Sequence, residues 1–535
     1  MINLNDLTDN KYVRLFNTVK HLKLKQIYFR FLYIIKNKIF KLVNYSCPPL
    51  TKCNNKELHL QNTIRPIESY IKNNTFLFLN KIVVFENEVD WNYSDNGKLW
   101  TYNLNYFDFL MSNNCSVHES LNFINHFIEK SSLIKDGMEA FPLSIRCLNW
   151  VKFLTYNNIN NSKVNASLYA QYSRLMNNFE YHLLGNHVLE NAFSLLFGAY
   201  YFDEEKFYIK AEKLLFNELE EQILDDGAHF ELSPMYHKLM LFRLLDSINL
   251  LQNNQNQKHK YFLDYLKKKA SVMLGWLENI TYKNGKIPLF NDSTNNIAPT
   301  SIELFDYAKT LNLKIKKLNL KESGYRKISN LNYEMIVDIG NIGPDYILGH
   351  AHADTFNFEL YVKEVPIIVD TGLSTYEIGK RRDIERSTSA HNTVCINDIN
   401  QSDVWGGFRV GKRAKIIKLF EDKDSICATH NGYAHLDIYH TRKFRYGDKE
   451  IQIFDKIDSK LENNYVAYIH FHPDVNFEQK DFLIILSKLN IEFIGCKNVI
   501  VEDYLYADEF NKTHAAKCLA VYFDMTLETR ILINN

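Results

Sequence analysis

The chain changes its hydrophobic period once, near residue 315, and that change limits the folds open to it. From Lys98 to Leu311 apolar residues recur every three or four positions, as in Val164–Leu184, Val188–Phe202 and Tyr236–Leu251. Asn-rich breaks such as Asn157–Ser162 and Gln252–His259 separate these runs. Many helices of similar length with no strand between them predict a toroid or bundle of helical hairpins. After Lys321, short β-branched and aromatic runs alternate with turns: Tyr333–Ile339, Phe356–Val362, Pro366–Asp370, Thr393–Ile396, Lys415–Phe420, Ile451–Ile457 and Phe482–Leu486. Strands at that spacing predict an antiparallel sandwich. Helices first and strands second give an α+β multidomain chain and not an interleaved α/β fold. The expected parts are a basic, aromatic helical arm over 1–97, a helical domain over 98–315 and an antiparallel β-sandwich over 316–535.

The formal net charge is zero, so no global field draws an anionic partner, and nucleic-acid binding has no support. An acidic substrate has to be gripped locally. Apolar residues make up 46% of the chain, enough to fill real cores and to exclude global disorder. The 14% of aromatic residues suits walls that pack on sugar rings, or reflects a compositional bias. None of the eight cysteines forms a C-x-x-C pair, which predicts reduced thiols. No apolar stretch is long enough to span a bilayer. The nearest, Leu22–Leu42, is interrupted by lysines and Arg30 and has no cleavage site after it. It reads as a helix packing its aromatic face on the main body, or as a basic amphipathic helix in peripheral contact with a membrane. Without a readable signal peptide, the expected location is cytoplasmic or membrane-peripheral.

Three clusters can carry chemistry. In Gly185–Asn191 a helix would place Asn186, His187 and Glu190 on one face, able to orient a sugar carboxylate, with Glu190 fixing the His187 tautomer. In Asp226–His237 a polar turn runs into a helix starting near Ser233, with Pro234 at the first helical position. Tyr236 then lies in the first turn, where the positive helix end favours phenolate. In the third, Gly349–Asp354, an extended backbone would point His350 and His352 to one side. Asp370 and His391 follow on neighbouring strands, so His352, Asp370 and His391 make a plausible three-ligand zinc site or a hydrogen-bonded structural set. The arginines near these motifs, Arg146 among them, could pair with carboxylates or sulfates along a chain. Arg381, Arg382, Arg386, Arg409 and Arg413 read as surface ion pairs with Glu377, Asp383 and Glu385.

These clusters, in this order, resemble the heparinase II/III-like polysaccharide lyases. The resemblance rests on the block from Gly343 to Arg413 (GPDYILGHAHADTFNFEL, VDTGLSTYEIG, RSTSAHNTV, QSDVWGGFRVGKRA). LWTYNLNYFDFL from Leu99, SIRCLNW from Ser144, GNHVLENA from Gly185, DGAHFELSPMYH from Asp226 and PLFNDS from Pro288 add to it. It covers roughly residues 98–435 and implies an α/α toroid followed by an antiparallel β-sandwich, with the active site in the cleft between them. It further implies Asn186 and His187 near the substrate carboxylate, Glu190 in substrate choice, Arg146 in binding, and Tyr236 and His350 as proton-transfer groups. A structural zinc at His352, Asp370 and His391 is implied as well. The basic N-terminus is similar to that of members associated with making bacterial surface polysaccharides, while characterised lyases of the family are exported, which implies a periplasmic location.

The expected reaction is β-elimination on an acidic, uronate-containing polysaccharide. It removes the C5 proton beside a carboxylate and expels the oxygen at C4. Donors such as Asn186 and His187 must stabilise charge that grows in the transition state. Tyr236 is expected as general acid, and as base where proton and leaving group share a face; His350 is the base for the opposite epimer. The competing expectations are a catalytically silent sugar-binding or surface-polysaccharide biosynthesis protein and a zinc-dependent hydrolase.

Overall fold

The structure, a computed structural model, describes residues 11–42, 55–460 and 464–534. Helices α1 (Lys11–Val19) and α2 (Leu24–Leu42) form the N-terminal arm, followed by a hairpin of β1 (Thr75–Phe78) and β2 (Lys81–Val84). The region before residue 98 is therefore not wholly helical.

The helical domain comprises α3 (Lys98–Tyr106), α4 (Val117–Lys130), α5 (Ala140–Tyr156), α6 (Ser162–Met176), α7 (Asn186–Phe202), α8 (Glu205–Gln222), α9 (Pro234–Asn253), α10 (Lys260–Ile280) and α11 (Ser301–Thr310). Sequence decides which helices face inward. NHVLENAFSLLFGAYYF of α7 is apolar almost all round and nearly every residue is buried, as is true of α5 and α9. In α8, by contrast, Phe207, Ala211, Leu214 and Leu215 form a buried stripe beside charged faces, and α4, α6 and α10 are built alike. Inner α5, α7 and α9 alternate with outer α6, α8 and α10, which is the layering of an α/α toroid. The expected continuous helix over Val164–Leu184 stops at Met176, where Asn177 caps it. The freed residues 177–185 form a turn that later supplies Glu180 to the site.

The sandwich starts with the four-stranded sheet β3 (Tyr325–Ser329), β4 (Tyr333–Asp338), β5 (Phe358–Val362) and β6 (Val365–Ile368). After β7 (Val394–Ile396), β8 (Val404–Trp405) and β9 (Arg409–Val410) form a separate ribbon. The larger, ten-stranded antiparallel sheet is built from β7, β10 (Ile416–Glu421), β11 (Ser425–His430), β12 (Tyr439–Tyr446), β13 (Glu450–Asp458), β14 (Tyr465–His470), β15 (Phe477–Lys480), β16 (Leu483–Leu486), β17 (Leu489–Glu509) and β18 (Lys512–Ile533). It runs β10-β11-β12-β13-β18-β17-β16-β15, with β14 joining β18 to β7, and faces the small sheet. Met335, Val337, Phe358 and Leu360 of the small sheet share one core with Ile451, Ile453, Leu519 and Val521 of the large one. The hairpin of β17 (Leu489–Glu509) and β18 (Lys512–Ile533) is the spine of the large sheet. Its alternation is diluted by exposed charges, so it stands out poorly in the sequence. No disulfide joins the six cysteines in the described residues; Cys47 and Cys53 lie outside the described residues.

The two domains meet along the loop 288–296. Asp292 N donates to His350 O (3.0 Å), Asn295 N to Asp508 O (2.8 Å), and Leu289 N to the Glu359 carboxylate (3.0 Å). This loop brings the helical motifs and the Gly349–Asp354 block to one place.

Candidate active site

The site is built where the first turns of α7 and α9 meet the Gly349–Asp354 loop. Gly185 precedes α7 with φ +59°, and a Cβ there would lie 2.4 Å from a Glu231 oxygen, so only glycine lets the helix start this close. Ser233 caps α9 by accepting from Tyr236 N (3.2 Å), with Pro234 next to it, as the sequence predicts. The Ser233 hydroxyl also donates to Asp292 O (2.8 Å), which ties the helix start to the interdomain loop.

His350 and Tyr236 come together as expected: their rings stack at 3.9 Å. His350 Nδ1 is 2.9 Å from Asp292 Oδ2, and the backbone around it is a loop and not a strand. An Asp292 carboxylate at Nδ1 favours the tautomer with its proton there, which leaves Nε2 as the acceptor; it faces the Asn186 amide (3.4 Å) and lies 3.5 Å from Glu231 Oε2. The Tyr236 hydroxyl meets that of Tyr376 at 3.2 Å. Burial, together with the nearby Asp292 and Glu231 carboxylates, pushes the Tyr236 phenol well above its ordinary range. The expected phenolate is thus not favoured: desolvation outweighs the partial positive charge of the helix end.

Asp292 is the hub. Arg382 donates to both of its oxygens (2.5 and 2.8 Å), and His352 Nε2 lies 2.8 Å from Oδ1. Burial alone would raise this carboxyl. Arg382 and the hydrogen bonds of His350 and His352 outweigh it and hold the group well below the usual carboxylate range. His350 and His352 therefore do turn toward one group, a single carboxylate between them.

Asn186 donates twice to Glu231 from its side chain (3.1 and 2.9 Å) and once from its backbone (2.9 Å). Its amide protons face a buried carboxylate and not open space. His187 is half-buried, packs on Phe141 and has Nδ1 3.3 Å from Glu180. Burial, the largest single effect, pulls its pKa down, but the carboxylates of Glu180, Glu231 and Glu139 together outweigh it and leave it raised. The partner of His187 is thus Glu180, not Glu190. Glu190 is buried on the far side of the turn, accepting from Arg243 Nε at 2.7 Å.

Arg146 is not brought to the cleft. It is fully buried, donates to Gln171 Oε1 (2.8 Å), Gly137 O (2.7 Å) and Asn105 O (3.2 Å), and packs over Phe127. It organises helix packing, because α5 is an inner helix buried on all sides. The arginine at the site is Arg382, whose run KRRDIE reads as surface charge. Of the expected surface pairs, Arg381–Glu385 is present at 2.8 Å, whereas Arg386 is buried and donates to Ala351 O and Gly407 O. Glu231, Asp292 and Tyr376 were visible only as members of longer motifs, since nothing local marks them as paired with a distant histidine.

Of the expected metal set, His352, Asp370 and His391 are fully buried and adjacent. His391 Nδ1 lies 2.8 Å from Asp370 Oδ2, and the His352 and His391 rings are 5.3 Å apart. His352 Nδ1 and His391 Nε2 have no hydrogen-bond partner among the described residues. Among the described residues, however, no three His, Cys, Asp or Glu side chains are gathered closely enough to hold an ion, so His352 would have to turn to complete a cage.

The layering and the site at the junction of the two domains define a toroid-plus-sandwich protein of the heparinase III fold. Solved structures of that fold include heparinase III (TM-score 0.67, 18% identity, 84% of this chain and 80% of that one) and a heparan sulfate lyase from Pedobacter heparinus (TM-score 0.55, 15% identity, 86% and 81%). The heparinase II/III N-terminus family matches residues 128–311, and the heparinase II/III-like, C-terminal family residues 316–531. The chain belongs to the heparinase II/III-like family. It is also 23% identical over 311 residues to a heparin-sulfate lyase from Bacteroides stercoris, a match spanning 53% of this chain and 45% of that protein.

Proposed function

We propose that the protein is a polysaccharide lyase that cleaves a uronate-containing polysaccharide of the glycosaminoglycan class by β-elimination. The observation that carries this reading is the Tyr236–His350 pair: a phenol kept protonated by burial, stacked on an imidazole whose Nδ1 is anchored to Asp292 and whose Nε2 is left as the acceptor. The similarity to a heparin-sulfate lyase supports the substrate class.

In this mechanism His350 Nε2 takes the C5 proton. The electron pair of the C5–H bond forms the C4=C5 double bond, the C4–O bond breaks, and Tyr236 gives its proton to the departing oxygen. A route in which Tyr236 also serves as base, for proton and leaving group on one face, would need its phenolate, which burial disfavours. The carboxylate beside C5 must be neutralised as charge builds there. His187 fits that task, because Glu180 favours its cationic form and it keeps access to solvent. Asn186 contributes to the same carboxylate once its amide leaves Glu231; in the resting arrangement it sets the start of α7. Glu190, behind this wall and paired with Arg243, shapes the cleft without touching its surface.

Incubation with a panel of uronate polysaccharides tests the proposal. The expected outcome is ultraviolet absorbance from the conjugated, unsaturated uronate, rising in step with new reducing ends. Reducing ends without absorbance would indicate a hydrolase and overturn it.

We further propose a structural zinc at His352, Asp370 and His391, supported by the His391–Asp370 approach and the two unpartnered imidazole nitrogens. Bound there, it would cross-link the loops before β5, after β6 and before β7 and supply no step of the reaction. Metal analysis of the purified protein is expected to find one zinc per chain, with a chelator lowering Tm. Metal-free protein whose Tm ignores both zinc and chelator would remove the ion from the account.

A further inference from the structure

The helix α2 is packed with its apolar stripe outward. Leu24, Tyr28, Phe31, Ile35 and Ile39 recur at i, i+4, i+7, i+11 and i+15, which places them along one face. All five are exposed, Leu24 by 85%, Phe31 by 65% and Ile35 by 56%. The opposite face, Gln26, Phe29, Tyr33 and Lys36, is the one that holds the body. Gln26 donates to Leu183 O (3.1 Å) and Tyr346 O (3.2 Å), Tyr33 to Phe179 O, and Lys36 Nζ to Asn177 O (2.6 Å). Lys23 and Lys25 lie over the rings of Tyr346 and Tyr181 at 3.9 and 4.1 Å. A helix that docked for core formation alone would bury the stripe and leave the lysines in water. The arm is nevertheless fastened to both domains, since Arg14 donates to Asp403 (2.9 Å from Nε) and Trp405 Nε1 to Thr18 Oγ1 (3.2 Å). The outward face is thus held in place.

Charge decides what covers it. Residues 11–42 carry nine Lys or Arg and no Asp or Glu, in a chain whose net charge is zero. Exposed Lys38 borders the apolar stripe of α2, exposed Lys11 and Lys20 border α1, and exposed Phe16 and Val19 of α1 extend the apolar surface. Large apolar side chains bordered by cations on long stems suit an interface with an anionic headgroup layer, where the rings and aliphatic chains enter the acyl boundary and the lysines reach back to phosphate. We infer that α1 and α2 form a peripheral docking face for an anionic lipid bilayer, holding the toroid–sandwich cleft at a membrane surface. No helix among the described residues is long and apolar enough to cross a membrane, so the contact is lateral.

The full-length protein would be sedimented with vesicles of phosphatidylcholine alone and with vesicles containing phosphatidylglycerol. Binding is expected only to the anionic vesicles and should weaken in high salt. Phe31→Glu/Ile35→Glu is expected to weaken it by about tenfold or more, with Tm and turnover on soluble oligosaccharides unchanged, because neither side chain is buried or near the cleft. Absence of binding, or binding that ignores the double substitution, would overturn the inference. So would a self-associating species, seen by sedimentation velocity without lipid and abolished by the same substitution, which would assign the face to a second copy of the chain. The assay is independent of lyase activity, so failure here and failure of the proposed reaction are told apart.

Discussion

Replacing Tyr236 by phenylalanine is expected to lower kcat by roughly 10²–10⁴-fold, the usual range for loss of a positioned proton donor, with KM nearly unchanged. The ring that stacks on His350 at 3.9 Å is kept, and so is the α9 start capped by Ser233. What is lost is the hydroxyl and its contact with Tyr376 at 3.2 Å. One half-buried hydrogen bond contributes about 1 kcal/mol, so Tm should move little. Initial rates of absorbance increase over a range of polymer concentrations separate kcat from KM. Turnover within about threefold of the parent, against the loss expected, would mean that the leaving oxygen is protonated elsewhere. The raised pKa adds a second expectation. Burial keeps the phenol protonated beyond its ordinary value of about 10, so the rate should not fall through Tyr236 ionisation anywhere in the neutral to mildly alkaline range.

Asp292→Asn should damage both folding and turnover. The substitution keeps the shape but removes the charge that faces Arg382, His350 and His352, all of them buried or nearly so. Breaking a buried pair on one side costs about 3–5 kcal/mol, because Arg382 is left charged and uncompensated. The sign with pH follows from the depressed folded-state pKa. The stabilisation from ionised Asp292 is fully present above its unfolded value of about 3.9 and is lost as pH falls through the lower folded value. The parent should therefore be more stable than the variant at neutral pH, with the gap closing in acid. Chemical denaturation at several pH values reads this directly. Turnover should fall by roughly 10²–10⁴-fold, since His350 Nδ1 loses the acceptor that fixes its tautomer. A folded variant with parental turnover would confine Asp292 to a structural role.

Much of the fold was legible because it depends on periodicity, which is local. The all-apolar α7 and the striped α8 differ in composition in just the way that inner and outer helices must. The capped start of α9 was legible for the same reason: Ser233 and Pro234 act on their own backbone. The long β17–β18 hairpin was less so, because part of it faces solvent and its pattern is diluted. The helix expected through Leu184 ended early because two asparagines follow Met176, and the turn thus freed delivers Glu180 to His187.

At the site, the sequence by itself determined the candidate groups, Tyr236, His350, His187 and Asn186, along with the two architectures that carry them. Only the tertiary structure decided their partners. Arg146 reads in the sequence as a binding group and Arg382 as surface charge, yet the first is enclosed among helices by Asn105, Gly137 and Gln171, and the second neutralises Asp292. Glu190 is four residues from Asn186 but pairs with Arg243, while Glu231, 45 residues away, receives the Asn186 amide. The reason is physical. Periodicity and caps arise between neighbours in the chain, whereas the charge state of a buried group depends on whichever distant atoms desolvate or compensate it.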